Sequence, residues 1–109
     1  MNKVIQFSEL QKSPLGWEFE GYKFEETGIT FIIVEAAHGE GPKLHSHPYT
    51  EVFIIQEGIG LFTIGDKTIE ARGSQILIVP PDVPHKFINT GSDKLRQVDI
   101  HLSHKFITE

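Results

Sequence analysis

Residues 39–58, GEGPKLHSHPYTEVFIIQEG, decide the fold of this chain. His45 and His47 stand two positions apart, Glu51 follows four further on, and Gly39 and Gly58 close the two ends. Along an extended strand side chains alternate between faces, so residues two apart point the same way. His45, His47 and Glu51 are all odd-numbered, and an extended segment aims all three into one space. Two imidazoles and a carboxylate on one side make half of a metal site, since each presents a lone pair to a divalent cation. A second half follows in residues 80–89, PPDVPHKFIN, around His85.

Working outward, residues 51–56 and 59–64 read as strands separated by Glu57-Gly58. Gly65-Asp66-Lys67 predicts a hairpin turn into residues 68–71. Residues 75–79 are a β-branched strand stopped by Pro80-Pro81, residues 85–89 resume extended structure, and residues 95–103 alternate once more. Upstream, residues 29–36 (ITFIIVEA) predict a strand buried on both faces. Residues 17–24 (WEFEGYKF) predict a strand with a bulge or bend at Gly21. Residues 4–7 fit either an edge strand or an arm lying on a partner subunit. About eight to ten short strands with turns every eight to twelve residues, and no helical apolar period, indicate an all-β sandwich or barrel. We assign residues 1–109 to a single domain, with 1–16 as an N-terminal strand or arm and 17–109 as the barrel.

The chain's 109 residues suit one domain with a real core, and 39% hydrophobic content excludes a disordered chain. Cysteine is absent, which removes disulfides, thiolate metal sites and cysteine nucleophiles. A net charge of −5 with scattered Lys and Arg argues against nucleic acid and anionic membrane as partners. No apolar run reaches spanning length and the N-terminus lacks a signal-peptide core, so the expected location is cytoplasmic.

The pattern Gly39-x5-His45-x-His47-x3-Glu51-x6-Gly58 resembles the first conserved motif of the cupin superfamily at every fixed position. Gly73…Pro80-x-Asp82-x2-His85-x3-Asn89 resembles the second. Asp82 stands where glycine is usual, and one extra residue separates Gly73 from Pro80. Asp tolerates turn conformations, and a β-bulge could absorb the extra residue. The resemblance implies the cupin double-stranded β-helix, a jelly-roll-like β-barrel. It also implies that His45, His47, Glu51 and His85 bind one divalent metal inside it. Three nitrogens and one oxygen favour Fe, Mn, Ni, Co or Zn over calcium or magnesium.

Around that set, Phe53 and Ile55 share the parity of Glu51 and are expected in the cavity wall or core. Asn89 is either an inward support or an exposed strand end. On the last strand the default turns Val98, Ile100 and Leu102 inward and leaves Gln97, Asp99 and His101 solvated; a polar cavity would reverse it. His38 and His104 read as surface residues, and Glu57, Lys86 and Arg96 as solvated strand-end charges. No acid or base apart from the ligands is identifiable beyond His101 and Asp99, so the catalytic residues are unassigned. The complete ligand set favours a small metalloenzyme, oxygenase-like or isomerase-like, acting on an oxygen-bearing small organic molecule. The alternative is a non-catalytic small-molecule-binding or regulatory module with a structural metal. A homodimer is expected, because Val4, Ile5, Phe7, Trp17, Phe19, Phe106 and Ile107 lie outside the two motifs.

Overall fold

Alternating apolar and polar side chains at a period of two drive the chain into strands whose inner faces must cover one another. The computed structural model describes residues 4–109. Its strands are β1 (Gln11–Ser13), β2 (Gly16–Glu20), β3 (Thr30–Ala36), β4 (Glu51–Glu57), β5 (Ile59–Ile64), β6 (Lys67–Arg72), β7 (Gln75–Val79), β8 (His85–Asn89) and β9 (Leu95–His101). Short 3-10 turns occupy Phe7–Glu9 and Gly21–Lys23. A six-stranded sheet in the order β1-β2-β3-β9-β4-β7 faces a three-stranded sheet in the order β6-β5-β8. All neighbours are antiparallel. This is the predicted all-β barrel, and no helix among the described residues is long and apolar enough to cross a membrane.

Phe53, Ile55, Phe62, Phe87 and Leu95 fill the space between the sheets. The Phe62 ring lies 5.3 Å from Phe53 and 5.5 Å from Phe87, spacings suited to tilted and offset aromatic packing. Residues 39–45 run beside β8. The Gly39 N–H donates to the Asn89 carbonyl at 2.8 Å, and His45 and His85 exchange backbone hydrogen bonds at 3.1 and 2.8 Å. That pairing brings the two histidine-bearing stretches together.

Register across the large sheet decides what the barrel contains. One inward row reads Glu20, Thr30, His101, Glu51, Val79, and the next reads Glu18, Ile32, Asp99, Phe53, Leu77. The outward rows between them are apolar throughout: Phe19, Phe31, Ile100, Val52, Ile78, then Trp17, Ile33, Val98, Ile54, Ile76.

Several local expectations are corrected. The strand expected over 17–24 ends at Glu20, and Gly21 opens a 3-10 turn. A Cβ on Gly21 would lie 1.8 Å from the Thr27 carbonyl oxygen, so glycine is there for close backbone approach, not for a bulge. β3 is buried on its inner face only; Phe31 and Ile33 on its outer face are half-buried, with Phe7 and Phe24 packing on the neighbouring Trp17 and Phe19. Residues 4–7 are not a strand: Phe7 begins a turn and the edge strand is Gln11–Ser13, while residues 1–3 lie outside the described part. Lys12 sits with its Nζ 4.6 Å above the Trp17 ring at this edge. β9 ends at His101, where the Ser103 N–H turns back to the His101 carbonyl. The extra residue before Pro80 makes no bulge, since β4 and β7 pair without interruption. Ser74 takes it up in the preceding turn at φ 75. Asp82 does occupy the left-handed region, at φ 64, which explains why glycine is usual in that turn.

These two turns should respond oppositely to substitution. Gly21→Ala should cost about 1–3 kcal/mol or more, because the added methyl meets backbone carbonyls that cannot yield. Asp82→Gly should change stability by less than about 1 kcal/mol, because relief of the positive φ offsets the added unfolded-state entropy. Urea denaturation of the two variants beside the parent checks both.

Candidate metal centre

His45 enters from the segment alongside β8, His47 from the loop before β4, Glu51 from the first residue of β4, and His85 from the first residue of β8. One potential ligand atom from each of the four lies within 4.8 Å of all the others. His47, Glu51 and His85 are buried and His45 is half-buried. The residues picked out by spacing therefore do meet at one point inside the barrel, and the cluster could hold a metal ion.

The backbone fixes how the rings face. Nδ1 of His45 lies 2.5 Å from the Lys43 carbonyl oxygen, Nδ1 of His47 2.6 Å from that of Ile107, and Nδ1 of His85 2.9 Å from that of Val83. A carbonyl only accepts, so each Nδ1 carries a proton and donates it. Nε2 is then the free lone pair on all three rings. For His47 and His85 it is aimed at the carboxylate: His85 Nε2 is 2.9 Å and His47 Nε2 3.2 Å from Glu51 Oε1. His47 Nε2 is buried without a hydrogen-bond partner. Lone pairs of imidazole and carboxylate crowding one point repel unless a proton or a cation lies between them. A divalent cation fits this donor set, with the backbone carbonyls acting as the outer partners that orient metal-ligating histidines.

Without a cation, a proton shared between ring and carboxylate plays the same part. Burial pushes the Glu51 carboxyl upward, but His101, His47 and His85 outweigh it and hold the group far below the usual carboxylate range. Burial lowers His85, yet Glu51 and the Val83 carbonyl raise it above the ordinary imidazole value. His45 moves down, first by burial and then by the neighbouring His85 and His47 rings.

His101 is where the default reading fails. It is buried, and Gln97 and Asp99 are buried with it, while Val98 and Ile100 face outward and Leu102 is exposed. The polar face wins the interior because β9 lies between β3 and β4, the middle of the sheet that backs the cavity. Its Nε2 stands 3.2 Å from Glu51 Oε2, and its Nδ1 2.7 Å from the Tyr49 hydroxyl. Burial pushes the Tyr49 phenol up to about 12, so it stays protonated, and its oxygen also lies 3.2 Å from the Ile107 carbonyl. His101 thus flanks the carboxylate oxygen turned away from His47 and His85. Tyr49 and the tail at residues 106–109 were invisible to spacing arguments. The tail is held by paired backbone hydrogen bonds between Ser46 and Glu109.

The remaining expectations divide. Phe53 lines the cavity and Ile55 is core. Asn89 is buried and supports the wall, donating to the Ala36 and Asp93 carbonyls and accepting from the Gly91 N–H. His38 and His104 are exposed, as are Glu57, Lys86 and Arg96.

A cavity of about 550 Å³ opens beside the cluster, with apolar walls from Leu15, Ile32, Phe53, Phe87 and Phe106. Asp99 faces it next to the centre, its Oδ1 accepting from Gln97 Nε2 at 2.7 Å. Burial, then the charge of Glu51, push the Asp99 carboxyl well above its usual range.

The profile of the Cupin domain family matches residues 32–101. The uncharacterised protein MJ1618 of Methanocaldococcus jannaschii is 36% identical over 73 residues, covering 63% of this chain and 58% of that protein. Polyketide synthase CurC of Streptomyces cyaneus is 38% identical over 66 residues, 60% of this chain and 42% of that protein. The chain spans about half the length of these relatives. A Bacillus subtilis oxalate decarboxylase structure, described for its Mn(II) centres, superposes with a TM-score of 0.83 at 19% identity, over 94% of this chain and 30% of that one. At that identity the likeness shows the fold.

Nitrogen-15 NMR of the imidazoles tests the ring orientations directly. Metal-free protein at pH 8 should show His45, His47 and His85 in the Nδ1–H tautomer, which is the minority form in water. The Nε2–H tautomer at any of the three would contradict the carbonyl contacts on which the centre depends.

Proposed function

The chain belongs to the cupin family, and on that premise we propose that it is a small metalloenzyme acting on an oxygen-bearing organic molecule. One divalent first-row transition ion, Fe, Mn, Ni, Co or Zn, would be held by His45, His47, Glu51 and His85. The observation that carries this reading is the ring geometry: three imidazoles, each with Nδ1 committed to a backbone carbonyl, presented with a buried carboxylate beside an open cavity. A bound ion of this kind supplies Lewis acidity or, for iron or manganese, redox chemistry. The chain's own residues do the rest. His101 and Tyr49 position Glu51, the apolar wall excludes water, and Asp99 offers a carboxyl to whatever occupies the cavity. A relative named as a polyketide synthase supports chemistry on oxygen-bearing organic compounds. The rival reading, a non-catalytic small-molecule-binding or regulatory module with a structural metal, would use the same cavity; the enzyme reading is favoured because His45 and Glu51 of the cluster line that cavity, so a ligand there could reach a bound ion.

Calorimetric metal titration tests the centre. The protein should take up one Zn(II) or Mn(II), and His47→Ala should lose on the order of a hundredfold in affinity while keeping its β-type spectrum. Chelation should leave the chain folded, since its apolar core does not depend on an ion. Affinity should fall as pH is lowered. His85 is raised above the ordinary imidazole value of about 6.5, so proton competition begins above that pH, not below it. No uptake by the parent, or equal uptake by His47→Ala, would refute the assignment.

We also propose that the protein is a homodimer paired through the outer face of its large sheet. The two apolar outward rows cross five strands, and at the β7 edge Ile76 and Ile78 are each 63% exposed. Glu35, Glu57, Lys94 and Arg96 border them with both signs of charge, the arrangement a two-fold pairing of identical surfaces can satisfy. A second copy is therefore the occupant we assign. The chain ends contribute unequally. Trp17 and Phe19 belong to this face, whereas Phe106 folds back onto its own barrel, 5.3 Å from the His101 ring. Light scattering should give twice the 12.3 kDa chain mass, and Ile76→Glu with Ile78→Glu should halve it without loss of β structure. A parent mass near one chain would exclude the dimer.

A further inference from the structure

Three carboxyl groups face the cavity, and among the described residues no buried Lys or Arg answers them. Glu51 lies at the centre. Asp99 sits one row along, and Glu18 occupies the same row as Asp99, with only Ile32 between them. Among the described residues that line the cavity the only Lys or Arg is Lys43, which is exposed. Lys23, the cation nearest Glu18 along the chain, is exposed and pairs most closely with Glu20, at 3.1 Å.

The charge balance follows from these groups. A divalent ion beside ionised Glu51 and Glu18 is already neutralised. Whether Asp99 is protonated or not, the site has no net positive charge left for an anionic ligand. Sites that recognise carboxylates or phosphates instead supply arginine or lysine in bidentate or clustered form. The walls point the other way: the rings of Phe53, Phe87 and Phe106 give a planar apolar ligand surfaces to pack on, and carboxyl oxygens accept hydrogen bonds from hydroxyls.

Resting on the metal-centre reading above, we propose that the cavity takes a neutral phenolic molecule and rejects carboxylates, with Glu18 and Asp99 as the residues that set this preference. A dianion such as oxalate is excluded as a substrate, despite the fold shared with oxalate-degrading enzymes. The hydroxyl groups of the favoured ligand meet Glu18 and Asp99, and its ring packs among the phenylalanines.

A matched pair of probes tests this. 3,5-Dihydroxybenzamide and 3,5-dihydroxybenzoate have the same shape, and at neutral pH only the second is charged. Binding to the full chain is measured by NMR titration, with and without zinc. The amide should bind on the order of tenfold or more tightly than the carboxylate, because like charges brought together in a confined site repel. In Glu18→Gln, and further in Glu18→Gln/Asp99→Asn, the gap should narrow through improved binding of the carboxylate. Glu18 is half-buried near the sheet edge, so the single variant keeps the test alive should the double one fail to fold. Equal or tighter binding of the carboxylate by the parent overturns the proposal. So does a gap unchanged by Glu18→Gln, or absence of binding by the amide at millimolar concentration. Failure of the metal reading shows separately: protein that takes up no zinc yet still prefers the amide retires the metal centre and keeps the cavity assignment.

Discussion

The structure depends on one buried charge, the carboxylate of Glu51. Withdrawing an ionised carboxyl from water costs several kcal/mol even in a relaxed protein interior. It is tolerable here because Nε2 of His47, His85 and His101 stands 2.9–3.2 Å from it, close enough for a proton or a cation to be shared between ring and carboxylate. None of these contacts survives a register error. Slipping β4 or β9 by one residue would turn Glu51 or His101 to the outer face and bring Val52 or Ile100 into the polar centre. The polar cluster is thus both a functional site and a lock on strand pairing in the middle of the sheet.

Loops and tail complete what the strands begin. The carbonyls that fix the histidine rings come from Lys43, Val83 and Ile107, all outside regular strands. Each loop is itself tied down. Asp82 donates its N–H to the His47 carbonyl at 2.7 Å, joining the two histidine-bearing segments a second time, and Pro80, Pro81 and Pro84 limit the freedom the second segment loses. The tail at residues 106–109 carries the Ile107 carbonyl to His47 and lays Phe106 over the His47 and His101 rings, at 5.6 and 5.3 Å. Few of these contacts are large individually, but together they give each imidazole one orientation.

The large sheet inverts the usual arrangement of a half-covered sheet. Its inner face carries Glu18, Glu51, Gln97, Asp99 and His101 among apolar residues, while its outer face is apolar across β2, β3, β9, β4 and β7. A polar interior demands partners for each group, and some lack them: Thr30 Oγ1, Gln97 Oε1 and the Nε2 atoms of His47 and His101 are buried without hydrogen bonds. These groups cluster on β3, β9 and the loop before β4, around the centre and its cavity, where a ligand or an ion has most to offer them.

What the sequence determined by itself was the period-two patterning, the turn chemistry and the four-residue cluster. The spacing of His45, His47 and Glu51 marked the site, although bends at Pro48 and Tyr49 interrupt the extended segment that parity assumed, and His85 sits at a fixed place after a stiff proline turn. Strand ends were less legible. Gly21 ends β2 because of a carbonyl that arrives from Thr27, a contact only folding creates. The tertiary structure alone decided which face of β9 turns inward. Its two faces alternate equally well, one Gln97, Asp99 and His101, the other Val98, Ile100 and Leu102, and average hydrophobicity favours the wrong one. The choice is made by pairing with Glu51 on one side and Thr30 on the other, through hydrogen bonds between strands distant in sequence. The same holds for Tyr49, Ile107 and the cavity's carboxyls, whose roles come from neighbours that no spacing rule connects.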